Sequence, residues 1–125
     1  MQRVAIYGGS FDPPHIGHVM AVAWALAVAE IDAVWVFPVF RHRFGKLPSP
    51  FDARMRWCTA AFACFGDRGV VRDDERRLCE AGGTGATIEL VRALIAQAES
   101  RNLSASFRLL MGSDQLASLD RWVEI

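Results

Sequence analysis

Apolar residues occur along this chain in runs of two lengths. Residues 3–7, 33–39 and 106–111, with a shorter piece at 69–72, have the near-continuous apolarity of strands covered on both faces. Longer segments of helical character separate them at 15–30, 52–65 and 87–99, the last with Ile88, Val91, Leu94 and Ile95 on one face. Residues 40–50 read as a loop rich in basic and turn residues, 73–85 as a polar, glycine-rich connection, and 113–119 as the start of a further helix. Alternation of this kind predicts an α/β fold with a parallel, doubly wound sheet and right-handed crossovers. The stretch 19–29 is apolar on all sides but shorter than the roughly 20 residues of a membrane span. It predicts a buried crossover helix, and Trp24, Trp35 and Trp57 are expected in the core.

Length bounds this to one domain, residues 1–125. Fourteen basic residues balance fourteen acidic ones, so the basic excess that a nucleic-acid partner would leave is absent. Cys58, Cys64 and Cys79 are odd in number and lack metal-site spacing. They read as packed, reduced thiols of a cytoplasmic protein, and no secretory signal precedes the first strand. No membrane partner is expected.

The chemistry concentrates where the first strand meets the first helix. Residues 7–18 read Tyr-Gly-Gly-Ser-Phe-Asp-Pro-Pro-His-Ile-Gly-His. Gly8 and Gly9 supply backbone freedom for a sharp turn and let a phosphate come close. Asp12 is expected as N-cap, with Pro13 or Pro14 the first helical residue. A helix start offers unpaired N–H groups and a favourable dipole to an anion. His15 and His18, three apart, lie on one face of the first turn, and each can donate a hydrogen bond to a phosphate oxygen. Gly17 removes a side chain that would obstruct a ligand. The helix start disfavours imidazolium and a bound phosphate favours it, so the charge state stays open. Ligands of open parallel sheets sit at the carboxyl ends of the strands, where this turn, the loop from Phe40 and the Gly112-Ser113-Asp114 segment all converge.

The segment 8–18 resembles the His-x-Gly-His signature of the nucleotidyltransferase superfamily. In its full form it is most similar to nicotinate (or nicotinamide) mononucleotide adenylyltransferases. The resemblance implies a nucleotidyltransferase fold in which His15 and His18 are the catalytic phosphate-binding pair. Gly8, Gly9, Ser10, Phe11, Gly112 and Asp114 then complete an ATP site. His42-Arg43-Phe44-Gly45-Lys46 resembles a phosphate-contacting loop of one branch of that family, which implies substrate roles for His42 and Lys46. Residues 85–90 resemble a family segment lining the nicotinate pocket, with Thr87 and Glu89 matching and Ala86 and Leu90 departing from it. Thr87 also has a sufficient explanation as an N-cap. Gly112, Asp114 and Trp122 match a third family block, in which Asp114 would bind ribose hydroxyls and Trp122 would stack on a pyridinium ring. Arg54 falls at a family-like position but reads as a surface charge on its helix.

The implied reaction is adenylyl transfer from ATP to nicotinate mononucleotide, giving deamido-NAD and pyrophosphate. Magnesium would be carried mainly by the substrate phosphates, without a protein metal site. The resemblance also implies a C-terminal truncation: relatives continue into a serine- and arginine-bearing ATP motif that these 125 residues lack. Two alternatives stay open, a catalytically silent nucleotide-binding domain and another adenylyltransferase such as a phosphopantetheine adenylyltransferase. An uncovered sheet edge could promote homo-oligomers.

Overall fold

The structure, a computed structural model, describes residues 1–40 and 48–112. Among the described residues four parallel strands form one sheet: β1 (Gln2–Gly9), β2 (Ala33–Pro38), β3 (Gly69–Val71) and β4 (Ala105–Leu110), in the order β3-β2-β1-β4. The helices are α1 (Ile16–Val28), α2 (Phe51–Phe62), α3 (Asp74–Glu80) and α4 (Thr87–Ser100), and a 3-10 segment at Ala63–Arg68 leads into β3. Strand β1 pairs with β2 from Val4↔Ala33 to Gly9↔Pro38, and with β4 from Gln2↔Ala105 to Tyr7↔Leu110.

Alternate residues of the sheet feed two cores, as the strand period of two requires. Ala5, Tyr7, Val34 and Val36 pack with Val22 and Ala25 of α1 and with Cys58 and Phe62 of α2. Ile6 and Phe37 face the other way and pack against Leu90 and Leu94 of α4. Helices therefore cover both faces, and the chain reverses direction across the sheet at β1. That reversal puts the carboxyl end of β1 at the switch point where such sheets open a ligand crevice.

Several expectations change. Helix α1 is not enclosed: it buries Val22 and Ala25, while Ile16, Met20, Trp24 and Val28, four apart along one face, lie in solvent. Its uniform apolarity hid which face meets the sheet. Trp24 is 61% exposed and Trp57 also reaches solvent. Trp35 is half-buried and carries the Arg72 guanidinium 4.4 Å above its ring, a cation–π contact. On α4 the buried positions are Leu90 and Leu94, and Ile95 is exposed.

The polar connection at 73–85 contains α3, which charge pairs hold in place of an apolar stripe. Arg72 forks onto Asp74 at 2.8 and 3.1 Å and also reaches Gln97 of α4, while Arg77 pairs with Asp73 and Asp74. Cys58 and Cys79 are buried as expected, but Cys64 is exposed. Among the described residues no helix is long and apolar enough to cross a membrane.

Candidate functional site

The helix begins later than Asp12. His15 is the N-cap of α1, in an extended conformation (φ −137°, ψ 179°). Its Nδ1 accepts from the Gly17 backbone N–H at 3.1 Å, and the His18 Nδ1 accepts from the His15 N–H at 3.0 Å. Each imidazole thus closes one of the orphan donors of the helix start, a reciprocal arrangement normally made by Ser or Thr with Glu. Histidine can do this because Nδ1 hangs from Cγ, where asparagine carries its capping oxygen. Asp12 is used elsewhere: its Oδ2 accepts from Ser49 N–H at 2.8 Å.

The caps fix the tautomers. An Nδ1 that accepts a hydrogen bond carries no proton, so in the neutral ring the proton sits on Nε2. Two N–H donors therefore point away from the capped backbone. The rings stack with centroids 3.8 Å apart and 26° between planes. Burial, and then the neighbouring His15, hold the His18 pKa below its ordinary 6.5. Burial thus favours the neutral imidazole of His18 over the imidazolium in the unliganded protein.

Below His18 lies Phe11, only 2% exposed, its ring meeting His18 edge-on at 4.9 Å and Tyr7 and Phe62 at 5.4 and 6.0 Å. The Phe11 side chain belongs to the core beneath the site and supports the histidine from inside. Its backbone is left-handed (φ 49°), which costs a bulky residue about 1–2 kcal/mol. Burying the ring contributes about 2–3 kcal/mol and offsets that.

The turn is accordingly made by Phe11 and not by the glycines. Gly8 and Gly9 are still strand residues, paired with Phe37 and Pro38, and neither has a positive φ. Their use is space: a Cβ on Gly8 would meet nothing nearer than 3.9 Å, which leaves the strand end open to close approach. Gly17 is tighter than expected, since a Cβ there would lie 2.9 Å from His15 Cε1 and would push the capping ring aside.

In a parallel sheet every crossover helix starts at the carboxyl edge, so Thr87 at the head of α4 and Gly112 after β4 lie on the same edge as His15. Thr87 is not the cap: Ala86 holds that place, buried and without a capping side chain. Glu89 is engaged locally, its carboxylate accepting from Thr84 N–H at 3.0 Å and from Thr84 Oγ1 at 2.7 Å. Ser10 gives its carbonyl to Arg54. His42, Lys46, Asp114 and Trp122 lie outside the described residues. Among the described residues no cluster of three or more His, Cys, Asp or Glu could hold a metal ion.

Arg54 is not the surface charge that its helix predicts. It is wholly buried, and the signal was available: with Phe51, Cys58 and Phe62 it follows the three- and four-residue steps of the buried face of α2.

The sequence model of the cytidylyltransferase-like family matches residues 6–125. A relative from Anaeromyxobacter dehalogenans, described as a probable nicotinate-nucleotide adenylyltransferase, is 38% identical over 97% of this chain and 62% of its own length. One from Myxococcus xanthus with the same description is 36% identical over 96% of this chain and 60% of its own. This chain thus spans about three-fifths of these curated relatives. Among solved structures, Plasmodium falciparum nicotinic acid mononucleotide adenylyltransferase complexed with NaAD superposes with a TM-score of 0.78. That match covers 99% of this chain and 58% of the other at 23% identity, a likeness of fold.

Proposed function

The chain belongs to the cytidylyltransferase-like family, and from that premise we propose that it transfers the adenylyl group of ATP to nicotinate mononucleotide. The phosphate oxygen of the mononucleotide attacks the α-phosphorus of ATP, the bond from that phosphorus to the β-bridging oxygen breaks, and pyrophosphate leaves with deamido-NAD. A phosphomonoester with its second pKa near 6 is already anionic at neutral pH, so no residue need act as general base. The work left to the protein is alignment of two phosphates and stabilisation of charge on the departing oxygens.

The reciprocal capping of His15 and His18 is the observation that carries this reading. It turns two Nε2–H donors outward at the carboxyl end of β1, beside a glycine that leaves room for a phosphate. The descriptions of the relatives and the NaAD complex of the structural neighbour support the choice of substrate pair.

Thr87 and Gly112 line the edge on the acceptor and ATP sides. The phosphate contacts of His42 and Lys46, the ribose contact of Asp114 and the ring platform of Trp122 belong to the same proposal. Magnesium enters as the counter-ion ATP brings, and no step is assigned to it. Three free cysteines and freely diffusing nucleotides suit the cytoplasm.

The test is pyrophosphate release with ATP and nicotinate mononucleotide, run beside calorimetric titration of each. Release that requires both substrates supports adenylyl transfer. Binding of ATP without release identifies a silent nucleotide-binding module. Release with a pantetheine phosphate in place of the mononucleotide moves the activity to a different acceptor.

A further inference from the structure

We propose that Arg54, which no ligand can touch, is a positioning residue that holds the phosphate cradle in shape. The inference rests on the phosphate-site reading above and adds to it a residue behind the site. The guanidinium is 0% exposed and donates to three backbone carbonyls from three separate segments. Nε reaches Ser49 O at 2.8 Å, and Nη1 reaches Ser10 O at 2.9 Å and Val39 O at 2.7 Å.

Ser10 sits in the loop between β1 and the capping histidines, Val39 is the first residue after β2, and Ser49 immediately precedes the entry to α2. Two further bonds join the same segments without Arg54: Val39 N–H to Gly9 O at 2.9 Å and Ser49 N–H to Asp12 Oδ2 at 2.8 Å. The Phe51 ring lies 5.5 Å from the guanidinium carbon and meets Phe40 edge-on at 5.3 Å, which closes the apolar side of the junction.

Burying a guanidinium is costly. Burial lowers the Arg54 pKa, and the nearby Asp12 charge, followed by Cys58, opposes it only in part. A purely apolar residue would spare that cost but leave three carbonyls to find other donors. What arginine contributes is geometry: a planar fork of donors in fixed directions can hold carbonyls of three loops at once, whereas a lysine ammonium is a single point on a flexible stem. The Ser10 carbonyl lies five residues before His15, so releasing it frees the strand-to-helix connection that sets where the two Nε2–H groups aim. A displacement of about 1 Å in a reacting group can cost on the order of 100-fold in rate.

The experiment compares the wild-type chain with Arg54→Lys and Arg54→Met. Each is assayed for pyrophosphate release at varied ATP, for ATP binding by calorimetry, and for amide hydrogen exchange. For Arg54→Lys we expect kcat/KM for ATP to fall roughly 10- to 100-fold. Exchange should quicken at residues 9–15 and 49–51, while β4 and α4 keep wild-type protection. Arg54→Met should lose at least as much; if it fails to fold, the lysine variant alone decides. Unchanged ATP kinetics and loop exchange in Arg54→Lys would overturn the proposal. So would faster exchange spread evenly through β4 and α4, which would mark a general stabiliser. A wild-type chain that binds no ATP would instead remove the phosphate-site reading, a failure visible without any variant.

Discussion

Glu75 should make this protein less stable as the pH rises through neutrality. It lies in the first turn of α3 and is 6% exposed. Burial first, then Glu89 and Asp74, push its pKa from 4.5 up to about 7. A helix start favours a carboxylate, but here desolvation and two like charges outweigh that.

The sign follows from proton counting. Between 4.5 and about 7 the folded chain holds a proton at Glu75 that the unfolded chain has released, so raising the pH through this window favours unfolding. The gap of roughly 2.5 pH units, at about 1.4 kcal/mol each, amounts to some 3 kcal/mol once Glu75 is ionised in both states. Glu75→Gln removes the titration and keeps the shape of the protonated side chain. Asp74 and Glu89 are present in both proteins, so the difference between variant and wild type reports the proton at residue 75 together with its coupling to those two charges.

Urea unfolding followed by tryptophan fluorescence at pH 5, 7 and 8.5 measures it. We expect near-equal stabilities at pH 5 and a variant more stable by about 2–3 kcal/mol at pH 8.5. A difference that does not change with pH, or a variant that is weaker at pH 8.5, would refute the argument.

Other outcomes follow from the site. His18→Ala should lower the rate of pyrophosphate release by about 10²–10³-fold with the circular-dichroism spectrum kept, read by steady-state assay. Gly17→Ala should set helix propensity against function: alanine favours the helix by about 1 kcal/mol, yet the added Cβ displaces the His15 ring. Thermal unfolding should show little loss of stability while ATP affinity falls. An NMR titration of the imidazole protons should give His18 a pKa below 6.5 in the free protein and a higher one with ATP bound. Because its folded-state pKa is depressed, His18 also withdraws stability as the pH falls below 6.5, when its Nδ1 must leave the His15 N–H.

The strands were readable in advance because buried parallel strands are apolar without a break, and β2 departs from its expected span by one residue. The sheet edge on which His15 and His18 lie was readable too, since chain order fixes where each crossover begins. What escaped was set by partners that hydrophobic patterning does not reveal. α3 is held by Arg72, Arg77 and Gln97, so no apolar period announces it. The outer face of α1 looks as hydrophobic as its inner one, and composition could not tell them apart. Asp12 is of the common capping type, yet a Ser49 amide 37 positions away engages it. Arg54 lay hidden by its charge, although its place in the Phe51–Cys58–Phe62 register was visible all along.

The reciprocal cap ties two properties of the chain to the same pair of ring nitrogens. A serine or aspartate at position 15 would terminate α1 at least as well as histidine does, so a screen for heat resistance would accept it. That clone would keep His18 but lose the outward imidazole of His15, and aspartate would also turn a negative charge towards any incoming anion. Selection for a sturdier fold at this position would therefore discard one of the two proposed phosphate donors, and thermostable variants of this protein should be sought away from the first turn of α1.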